Sequence, residues 1–435
     1  MSTNFTYIGK TNWRTQEISF GIKDADRFGH IYCIGKTGVG KSSLLLNMAI
    51  SDVEKGKGLC VIDPHGDIAE TLLNYIPKAR IGDVTYFNAK DTEFPIGFNP
   101  LEGINPEHHH LVASNLISTF KRIWEDNWGP RLEYILHYCF LTLLYYPHAT
   151  LLDIQPLLTD YRFRSKVLTY VINPHIHSFW REEFDKYPAP FKAEAITPIL
   201  NKSGVFLSNT ILRNIVGQQT GTIQIQDILD QGKILIANLS KGEIGEDASS
   251  ILGSILVTSI QLATLYRASQ KEDQRNPFFL YLDECHSFLS LSFARILSEA
   301  RKYKLSLFLT HQYIGQLSEA IREAVFGNVG TTIAFRVGAE DATYLEKEFH
   351  PIFSEADFIN LPLYSIYIKL MIDGATSKPF SAETFPVKKI SNSFKREIIN
   401  LSRSKFGRHR QDVEKEIYSS ITSYSESENL TLFNS

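Results

Sequence analysis

Cysteine is scarce in this sequence: only Cys33, Cys60, Cys139 and Cys285 occur among its 435 residues. They are widely spaced, form no C-x-x-C pair and lie in apolar runs, where a thiol packs as a small hydrophobic group. We therefore expect four reduced core residues and a cytoplasmic protein. A catalytic Cys285 is conceivable, but its acidic neighbours would raise the pKa of the thiol, which argues against that role.

Long hydrophobic runs and an excess of basic charge are also missing. A bilayer span needs roughly 20 mostly apolar residues, but the run from Tyr134 to Tyr146 is short and contains His137. The run from Ile251 to Leu265 is interrupted by polar residues. Residues 1–10 lack the pattern of a signal peptide, so we expect no transmembrane segment. The net charge of -3 implies that any contact with nucleic acid is local.

The sequence alternates short apolar runs with longer helical patterns, which is typical of an α/β fold with a large, mainly parallel sheet. With 435 residues, 43% of them hydrophobic, it can bury a sizeable core and form two folded units. We predict strands at His30–Ile34, Leu59–Asp63, Val84–Phe87, Ile234–Leu239, Phe279–Asp283, Leu305–Thr310, Thr331–Val337 and Ser365–Ile372.

This alternation stops twice, which suggests the domain boundaries. Long amphipathic segments without convincing strands predict a helical domain at residues 106–227, inserted between parts 1–105 and 228–386 of the α/β domain. Beyond residue 386 the core pattern ends. Residues 388–410 contain eight Lys or Arg and one acidic residue, so we expect a basic helix and then a flexible tail over residues 387–435.

A phosphate-binding loop follows the first predicted α/β strand. The loop matches G-x-x-x-x-G-K-[ST] between an apolar strand and a helical run, which is the context that the motif requires. Its backbone amides would cradle phosphate oxygens at a helix N-terminus. Lys41 would neutralise the β- and γ-phosphates, and the Ser42 hydroxyl would bind Mg²⁺, so ATP and Mg²⁺ are the expected cofactors. The predicted nucleotide-binding residues are Gly35, Lys36, Thr37, Gly38, Val39, Gly40, Lys41, Ser42 and Ser43.

Two adjacent carboxylates, Asp283 and Glu284, end the apolar strand at residues 278–282. Burying carboxylates costs free energy unless they are solvated or coordinated. Asp283 would bind the Mg²⁺ shell, and Glu284 would orient or deprotonate the water that attacks the γ-phosphate. A solvated strand end with no chemical role is the alternative explanation.

Another polar pair follows the strand that begins at Leu305. The Gln312 amide can hydrogen-bond both the γ-phosphate and the attacking water, and would sense which nucleotide is bound. We interpret His311 as a loop residue.

Several segments together resemble the HerA/FtsK superfamily, and most closely its TraG/TraD-type conjugative coupling ATPases. The resemblance extends from about residue 20 to 385 and includes the helical insertion, which resembles the all-α domain of those proteins. It is carried by the phosphate loop and by Val61–Asp67, Phe98–Leu101, Asp283–Glu284, Glu299–Tyr303 and Thr310–Gln312.

This resemblance implies a RecA-like P-loop ATPase that forms hexameric rings and moves DNA. In these ATPases the sensor strand lies between the phosphate-loop strand and the acidic strand. A basic residue just before the sensor strand is directed at the γ-phosphate of the neighbouring subunit. Arg301 matches that position, and Arg336 is the alternative. Coupling proteins usually begin with membrane-spanning helices, whereas this sequence starts almost directly at the ATPase domain.

Two classes of function remain open from the sequence. The first is an ATP-driven DNA translocase, with the DNA form undetermined and a nuclease or secretion system as possible partner. The second is a nucleotide-gated oligomeric scaffold that organises a partner nuclease or effector. Two other sites are disfavoured. Asn201-Lys202-Ser203-Gly204 lacks the Asp that would recognise guanine, and His108-His109-His110 lacks partners at ligand spacing, so we expect those histidines to be exposed.

Overall fold

The computed structural model describes residues 4–12, 17–124, 128–390 and 392–429. The chain divides into two compact units. The sheet unit comprises residues 1–87, 225–242 and 259–402, and the helical unit comprises residues 88–224, 243–258 and 403–435. The main boundaries thus fall after residues 87 and 224, whereas the sequence analysis placed them after residues 105 and 227. The four-part division made there stays a prediction.

The described strands form one sheet of eleven strands and a separate two-stranded hairpin. The strand order in the large sheet is β2-β1-β13-β10-β9-β3-β8-β7-β4-β6-β5, and β11 pairs with β12. The strands are β1 Phe5–Thr11, β2 Ser19–Lys23, β3 Ile31–Ile34, β4 Gly58–Asp63, β5 Val84–Asn88, β6 Ile234–Asn238, β7 Phe278–Leu282, β8 Leu305–His311, β9 Thr331–Ala334, β10 Ser365–Lys369, β11 Met371–Ile372, β12 Ala375–Thr376 and β13 Phe380–Thr384.

The sheet has a parallel part and an antiparallel part. Strands β9, β3, β8, β7, β4 and β6 pair in parallel, and β3, β4, β6, β7 and β8 are buried along their whole length. Such strands read as continuous apolar runs because helices cover both faces, which is why the sequence predicts them. Strand β8 lies between β3 and β7, as expected for the sensor strand.

In the antiparallel part, β9 and β10 were predicted as strands, but β1, β2, β13 and the antiparallel pairing were not. Strands β1 and β13 pair with each other, and β10 pairs with β13 and β9. Two predicted strands were also wrong in extent, because β9 ends at Ala334 and the chain turns from β10 into the β11–β12 hairpin after Lys369.

The helices of the sheet unit cover the parallel strands. Helix α2 follows the loop after β3 and buries Leu44, Leu45, Met48 and Val53 in the core. Helices that lie wholly in this unit are α1 Asp24–Arg27, α2 Lys41–Glu54, α3 Asp67–Leu72, α11 Ile225–Asp230, α14 Leu291–Glu299, α15 Glu319–Asn328, α16 Ala339–Phe349 and α17 Glu355–Ile359; α12 Lys241–Ile244, α13 Glu246–Tyr266 and α18 Lys395–Phe406 begin in one unit and end in the other.

The helical unit is built as the sequence predicts, since none of its described residues between 106 and 224 lies in a strand. Its core is aromatic: Trp180 is fully buried, packs on Phe184 with ring centroids 4.8 Å apart, and donates a hydrogen bond to Thr142 Oγ1 at 2.8 Å. Its helices are α4 His109–Ile123, α5 Pro130–Leu143, α6 Ile154–Thr159, α7 Tyr161–Leu168, α8 Pro174–Ser178, α9 Ala189–Ser208, α10 Thr210–Val216 and α19 Arg410–Asn429.

Helix α13 qualifies as a membrane span by length and composition alone. The qualifying segment, Glu246–Ser269, has a mean hydropathy of 1.6 over its most apolar window, which the interrupted run in the sequence did not lead us to expect. That window is 83% buried inside the protein. A core helix has the same composition, so burial accounts for the apolar residues of α13.

The C-terminal segment is more ordered than the expected basic helix and flexible tail. It forms α18 and α19, and the latter extends to Asn429. Ile398 and Val413 are fully buried, so apolar contacts hold both helices. Several of its basic side chains are also paired, with Lys395 3.2 Å from Glu70 and Arg403 2.5 Å from Asp91. Residues 430–435 lie outside the described part of the chain.

Candidate nucleotide-binding site

The loop between β3 and α2 has the backbone that a phosphate cradle requires. Gly38 and Gly40 have φ of +77° and +120°, a region that only glycine adopts without strain. A Cβ at Gly40 would lie 2.8 Å from the Tyr364 ring, and a Cβ at Gly35 would lie 2.6 Å from Phe335 Cβ. These two glycines therefore let the loop pack closely against the chain beside it.

Lys41 opens α2 and directs its charge back over this loop. The residue is 6% exposed, and its Nζ donates hydrogen bonds to Gly35 O at 2.5 Å and Lys36 O at 3.0 Å. The exposed residues Thr37 and Ser42 lie in the same loop and helix start. An ammonium group and a helix N-terminus together favour an anion at this position.

Asp283 follows β7 and is buried, with 3% of its surface exposed. Thr310 Oγ1, in the adjacent strand β8, donates a hydrogen bond to Asp283 Oδ1 at 2.6 Å. Burial raises the pKa of Asp283 to about 6 in spite of that hydrogen bond, and the nearby carboxylates of Asp63 and Glu284 add to the rise. A buried carboxylate with a raised pKa lacks a compensating cation, which is the condition that a bound metal ion would relieve.

Glu284 and Gln312 meet at the same edge of the sheet. Gln312 Nε2 donates a hydrogen bond to Glu284 Oε1 at 3.1 Å. Glu284 is 5% exposed and has a left-handed backbone, with φ of +47°. A non-glycine residue in that region is strained, and such strain concentrates at functional sites. Two of the three residues predicted to act in hydrolysis therefore form a direct contact.

Sequence analysis missed two residues of this hydrogen-bonded group. His286 Nδ1 lies 3.4 Å from Glu284 Oε2, and Gln316 Nε2 lies 3.3 Å from His286 Nε2. Gln316 Oε1 also accepts a hydrogen bond from Gln312 N at 3.3 Å. The only signal in the sequence is their position within four residues of Glu284 or Gln312, which is too common to be informative.

The interpretation of His311 as a loop residue is wrong. His311 is the last residue of β8 and is fully buried, and its Nε2 lies 3.2 Å from Tyr32 Oη. Burial lowers its pKa to about 3. An apolar strand can end in a buried neutral imidazole, here with one ring nitrogen within hydrogen-bond distance of a hydroxyl group.

The two candidate arginines lie in different places. Arg301 is exposed in a short 3₁₀ helix, Ala300–Tyr303, that precedes β8. It is therefore at the amino end of β8, whereas its own phosphate loop follows the carboxyl end of the parallel neighbour β3. Arg336 is half-buried, and its carbonyl O accepts a hydrogen bond from Lys36 N at 2.9 Å. Arg336 thus borders the phosphate loop of its own chain.

Other conspicuous polar residues have local structural roles. Asp63 is fully buried, and its carboxylate accepts hydrogen bonds from His65 N at 2.8 Å and Ala69 N at 2.9 Å. His109 is also buried, 3% exposed, with Nε2 3.1 Å from Ile104 O. The expectation of an exposed triplet is therefore wrong for His109, because its ring packs edge-on against Tyr145. Within the described residues no His/Cys/Asp/Glu cluster forms a metal cage.

The residues present fit ATP with Mg²⁺. Mg²⁺ prefers one or two oxygen ligands from the protein and takes the remainder from water and substrate phosphates. The Ser42 hydroxyl and the Asp283 carboxylate supply that kind of ligand, so a dedicated cage is not needed. All four cysteines are buried and free, as predicted, and Cys285 has a pKa raised by burial and by its acidic neighbours.

Comparisons with known proteins agree with this fold. Residues 277–347, which include Asp283, Glu284 and Gln312, match the TraG-D_C family model, described as the TraM recognition site of TraD and TraG. No curated protein matches the sequence. The family-model match confirms the resemblance to TraG/TraD-type conjugative coupling ATPases.

Solved structures extend the likeness to most of the chain. The bacterial conjugative coupling protein TrwBdeltaN70 is 16% identical with a TM-score of 0.62, over 86% of this chain and 88% of the TrwBdeltaN70 chain. TrwB in complex with ADP and Mg²⁺ gives a TM-score of 0.61 at 16% identity, over 90% and 97%. VirB4 of Thermoanaerobacter pseudethanolicus is 13% identical with a TM-score of 0.59, over 91% and 99%. The chain has a RecA-like P-loop fold with an all-α part, as predicted.

Proposed function

We propose that this protein is an ATPase whose subunits form a hexameric ring that moves DNA in the cytoplasm. The observation that supports it most strongly is the contact between Glu284 and Gln312, 3.1 Å, beside the buried Asp283. These side chains end two adjacent parallel strands next to the strand that carries the phosphate loop. A protein that only bound nucleotide would have no use for a strained, buried carboxylate held by a sensor amide.

Each residue has a distinct task in the proposed hydrolysis. The loop amides and Lys41 bind the phosphates. Ser42 and Asp283 would hold Mg²⁺, which would supply neutralising charge to the phosphates. Glu284 orients the attacking water and accepts its proton, while Gln312 links that carboxylate to the γ-phosphate position. TrwB has been crystallised with a non-hydrolysable ATP analogue, a GTP analogue, and ADP with Mg²⁺, which supports a nucleotide in the equivalent site here.

The position of Arg301 supports a site shared between subunits. Strand β8 separates it from the edge that carries its own phosphate loop, and seven residues at about 3.3 Å each make that separation roughly 20 Å. An exposed arginine at that distance does not serve its own site. In a ring it would face the γ-phosphate of the next subunit and stabilise charge in the transition state.

DNA is the proposed substrate of the motor because TrwB, a conjugative coupling protein, shares the fold. The net charge of -3 does not attract DNA over the whole surface, but a ring would repeat each local basic group around its pore. The C-terminal segment contributes less to that field than its composition suggests, since Lys395 and Arg403 are paired with carboxylates.

The test is the ATPase rate of the full chain with and without double-stranded and single-stranded DNA, together with the mass of the assembly. We expect one DNA form to stimulate hydrolysis, and the DNA affinity to fall steeply with salt as counterions are released. Basal hydrolysis without stimulation, and no DNA binding at low salt with a non-hydrolysable ATP analogue, would instead favour the scaffold that organises a nuclease or another effector.

A further inference from the structure

Tyr364 lies against the phosphate loop and is held there by its backbone. It precedes β10, and its N–H donates a hydrogen bond to Val39 O at 3.0 Å. Its carbonyl O accepts hydrogen bonds from Thr384 N at 2.9 Å and Thr384 Oγ1 at 3.2 Å. The φ of Tyr364 is +64°, a region in which a bulky residue is an outlier. Two neighbouring segments therefore maintain a strained backbone that carries this one aromatic ring.

Two aromatic rings border Gly40, one residue before Lys41. A Cβ at Gly40 would lie 2.8 Å from Tyr364 Cδ1 and 3.1 Å from Phe335 Cε1. Phe335 is fully buried, whereas Tyr364 is 45% exposed. Phe335 thus fills space behind the loop, while Tyr364 offers an open aromatic surface beside it.

We propose that Tyr364 is the stacking surface for the base of the bound nucleotide. This inference rests on the proposed nucleotide binding and adds a residue that the phosphate-loop motif does not contain. The loop amides and Lys41 recognise phosphate alone, so the base must rest on side chains outside the motif. An aromatic ring at the border of the cradle binds a base through its π-face, and strain at a site is retained where it places a functional group.

We expect the Tyr364 surface to discriminate little between the adenine of ATP and the guanine of GTP. The residues that precede Tyr364, Pro362 and Leu363, are exposed and apolar, so they offer no side-chain donor or acceptor to the edge of a base. Strong rejection of an analogue requires a site built to hydrogen-bond the group that distinguishes it. Stacking on Tyr364 should therefore contribute similarly to the binding of ATP and GTP.

The experiment compares three probes on the full chain in the presence of Mg²⁺: ATP, GTP and inorganic tripolyphosphate, which has neither base nor ribose. Calorimetric titration of Tyr364→Ala should give about 10-fold weaker binding of both nucleotides, the equivalent of about 1.4 kcal/mol. Tripolyphosphate should bind as tightly as to the unmodified chain. Tyr364→Phe should retain most of the nucleotide affinity. Tyr170→Ala is the matched control, because Tyr170 is also 45% exposed but lies in the helical unit.

Several results would overturn the assignment. Equal weakening of tripolyphosphate would mean that Tyr364 only supports the loop, and unchanged nucleotide affinity in Tyr364→Ala would remove it from the site. If Tyr364→Ala changed the mass of the assembly but not the nucleotide affinity, the Tyr364 side chain would instead be a contact between copies of the chain. The proposed nucleotide binding fails separately if the unmodified chain binds none of the three probes.

Discussion

At the amino edge of the parallel strands, Arg27 is fully buried and paired within its own chain. Its terminal nitrogens donate to both Asp52 carboxylate oxygens, at 2.6 and 2.8 Å, and one of them also donates to Tyr281 Oη at 2.7 Å. Burial alone would raise the pKa of Asp52, but the charge of Arg27 outweighs it and the pKa is lowered. The chain itself neutralises this buried charge.

At the carboxyl edge of the same strands, the buried Asp283 carboxylate has no basic side chain paired with it among the described residues. Asp283 has a pKa raised to about 6, and Glu284 and Tyr364 have backbones with φ of +47° and +64°. Desolvation penalises a buried carboxylate at both edges. The two edges therefore differ in one respect: the chain itself neutralises the buried charge at the amino edge, whereas under the proposed function a nucleotide, Mg²⁺ and a neighbouring subunit would supply the missing partners at the carboxyl edge.

The largest effect is expected at the proposed interface, where the amino edge of one subunit would meet the carboxyl edge of the next. If Arg301 acts on the neighbouring site, Arg301→Ala should lower hydrolysis by about 10³- to 10⁵-fold. Mixing it with Glu284→Gln subunits rebuilds complete sites at a fraction of the interfaces, so partial ATPase activity should return in rings shown by mass to be mixed. Lys302→Ala, the exposed neighbour, is the control and should stay active.

No recovery on mixing would contradict a shared site. Every site would then lack one group, which is the result expected if the arginine acts within its own chain. Arg336, whose carbonyl already contacts the phosphate loop of its own chain, would become the candidate.

Within one carboxyl edge, Lys41 and Glu284 should separate binding from hydrolysis. Lys41→Ala removes the charge that neutralises the phosphates and should abolish ATP binding. Glu284→Gln keeps the size of the side chain and should bind ATP while slowing hydrolysis by about 10²- to 10⁴-fold. Equilibrium binding of labelled ATP and steady-state hydrolysis measure the two effects. Glu319→Gln, an exposed carboxylate, serves as the control; a folded Glu284→Gln that failed to bind ATP would refute the role of Glu284.

The sequence located the phosphate loop and the acidic pair of the carboxyl edge, but it did not indicate the buried group at the amino edge. The phosphate loop and the Asp283–Glu284 pair are continuous segments next to fully apolar strands, so local patterns identify them. The Arg27–Asp52–Tyr281 group joins residues up to 254 positions apart, and β1 pairs with β13 from the opposite end of the chain. No local pattern encodes such pairings. Gln316 was missed because only folding brings it beside His286, and His286 was missed because closeness in sequence to Glu284 is too common to be informative.

Removing a partner at the amino edge should destabilise the fold without altering nucleotide chemistry. Asp52→Asn leaves Arg27 buried beside a neutral side chain, and breaking a buried pair costs about 3–5 kcal/mol. The lower value is expected because Asp24 lies 3.7 Å from Arg27. Urea denaturation measures the change. Asp373→Asn, which breaks the exposed pair with Lys23, should cost less than about 1 kcal/mol; equal losses would contradict the contrast.

A smaller, pH-dependent effect is expected at His30, also at the amino edge. Burial lowers the pKa of His30 to about 4, against its hydrogen bond to Leu297 O. The unfolded chain therefore binds a proton that the folded chain does not, and stability falls as pH drops below 6.5. The loss should reach about 2 kcal/mol at pH 5 relative to pH 7.5. Denaturation across this range should show a shallower slope for His30→Asn than for the unmodified chain; an equal slope would contradict the assignment to His30.

The smallest effect is expected at two buried aspartates at the ends of adjacent strands. One of the two substitutions should stabilise the chain, in contrast to those at the amino edge. Asp63 is satisfied by two backbone N–H groups, so Asp63→Asn should cost about 1 kcal/mol, like the loss of a helix cap. Asp283 accepts one hydrogen bond from Thr310 and lacks a compensating cation, so Asp283→Asn should stabilise the nucleotide-free chain by about 1–2 kcal/mol while abolishing hydrolysis. Denaturation at pH 7.5 without nucleotide measures both variants. If Asp283→Asn lost as much stability as Asp63→Asn, the Asp283 carboxylate would be a structural cap and its proposed role as a Mg²⁺ ligand would be contradicted.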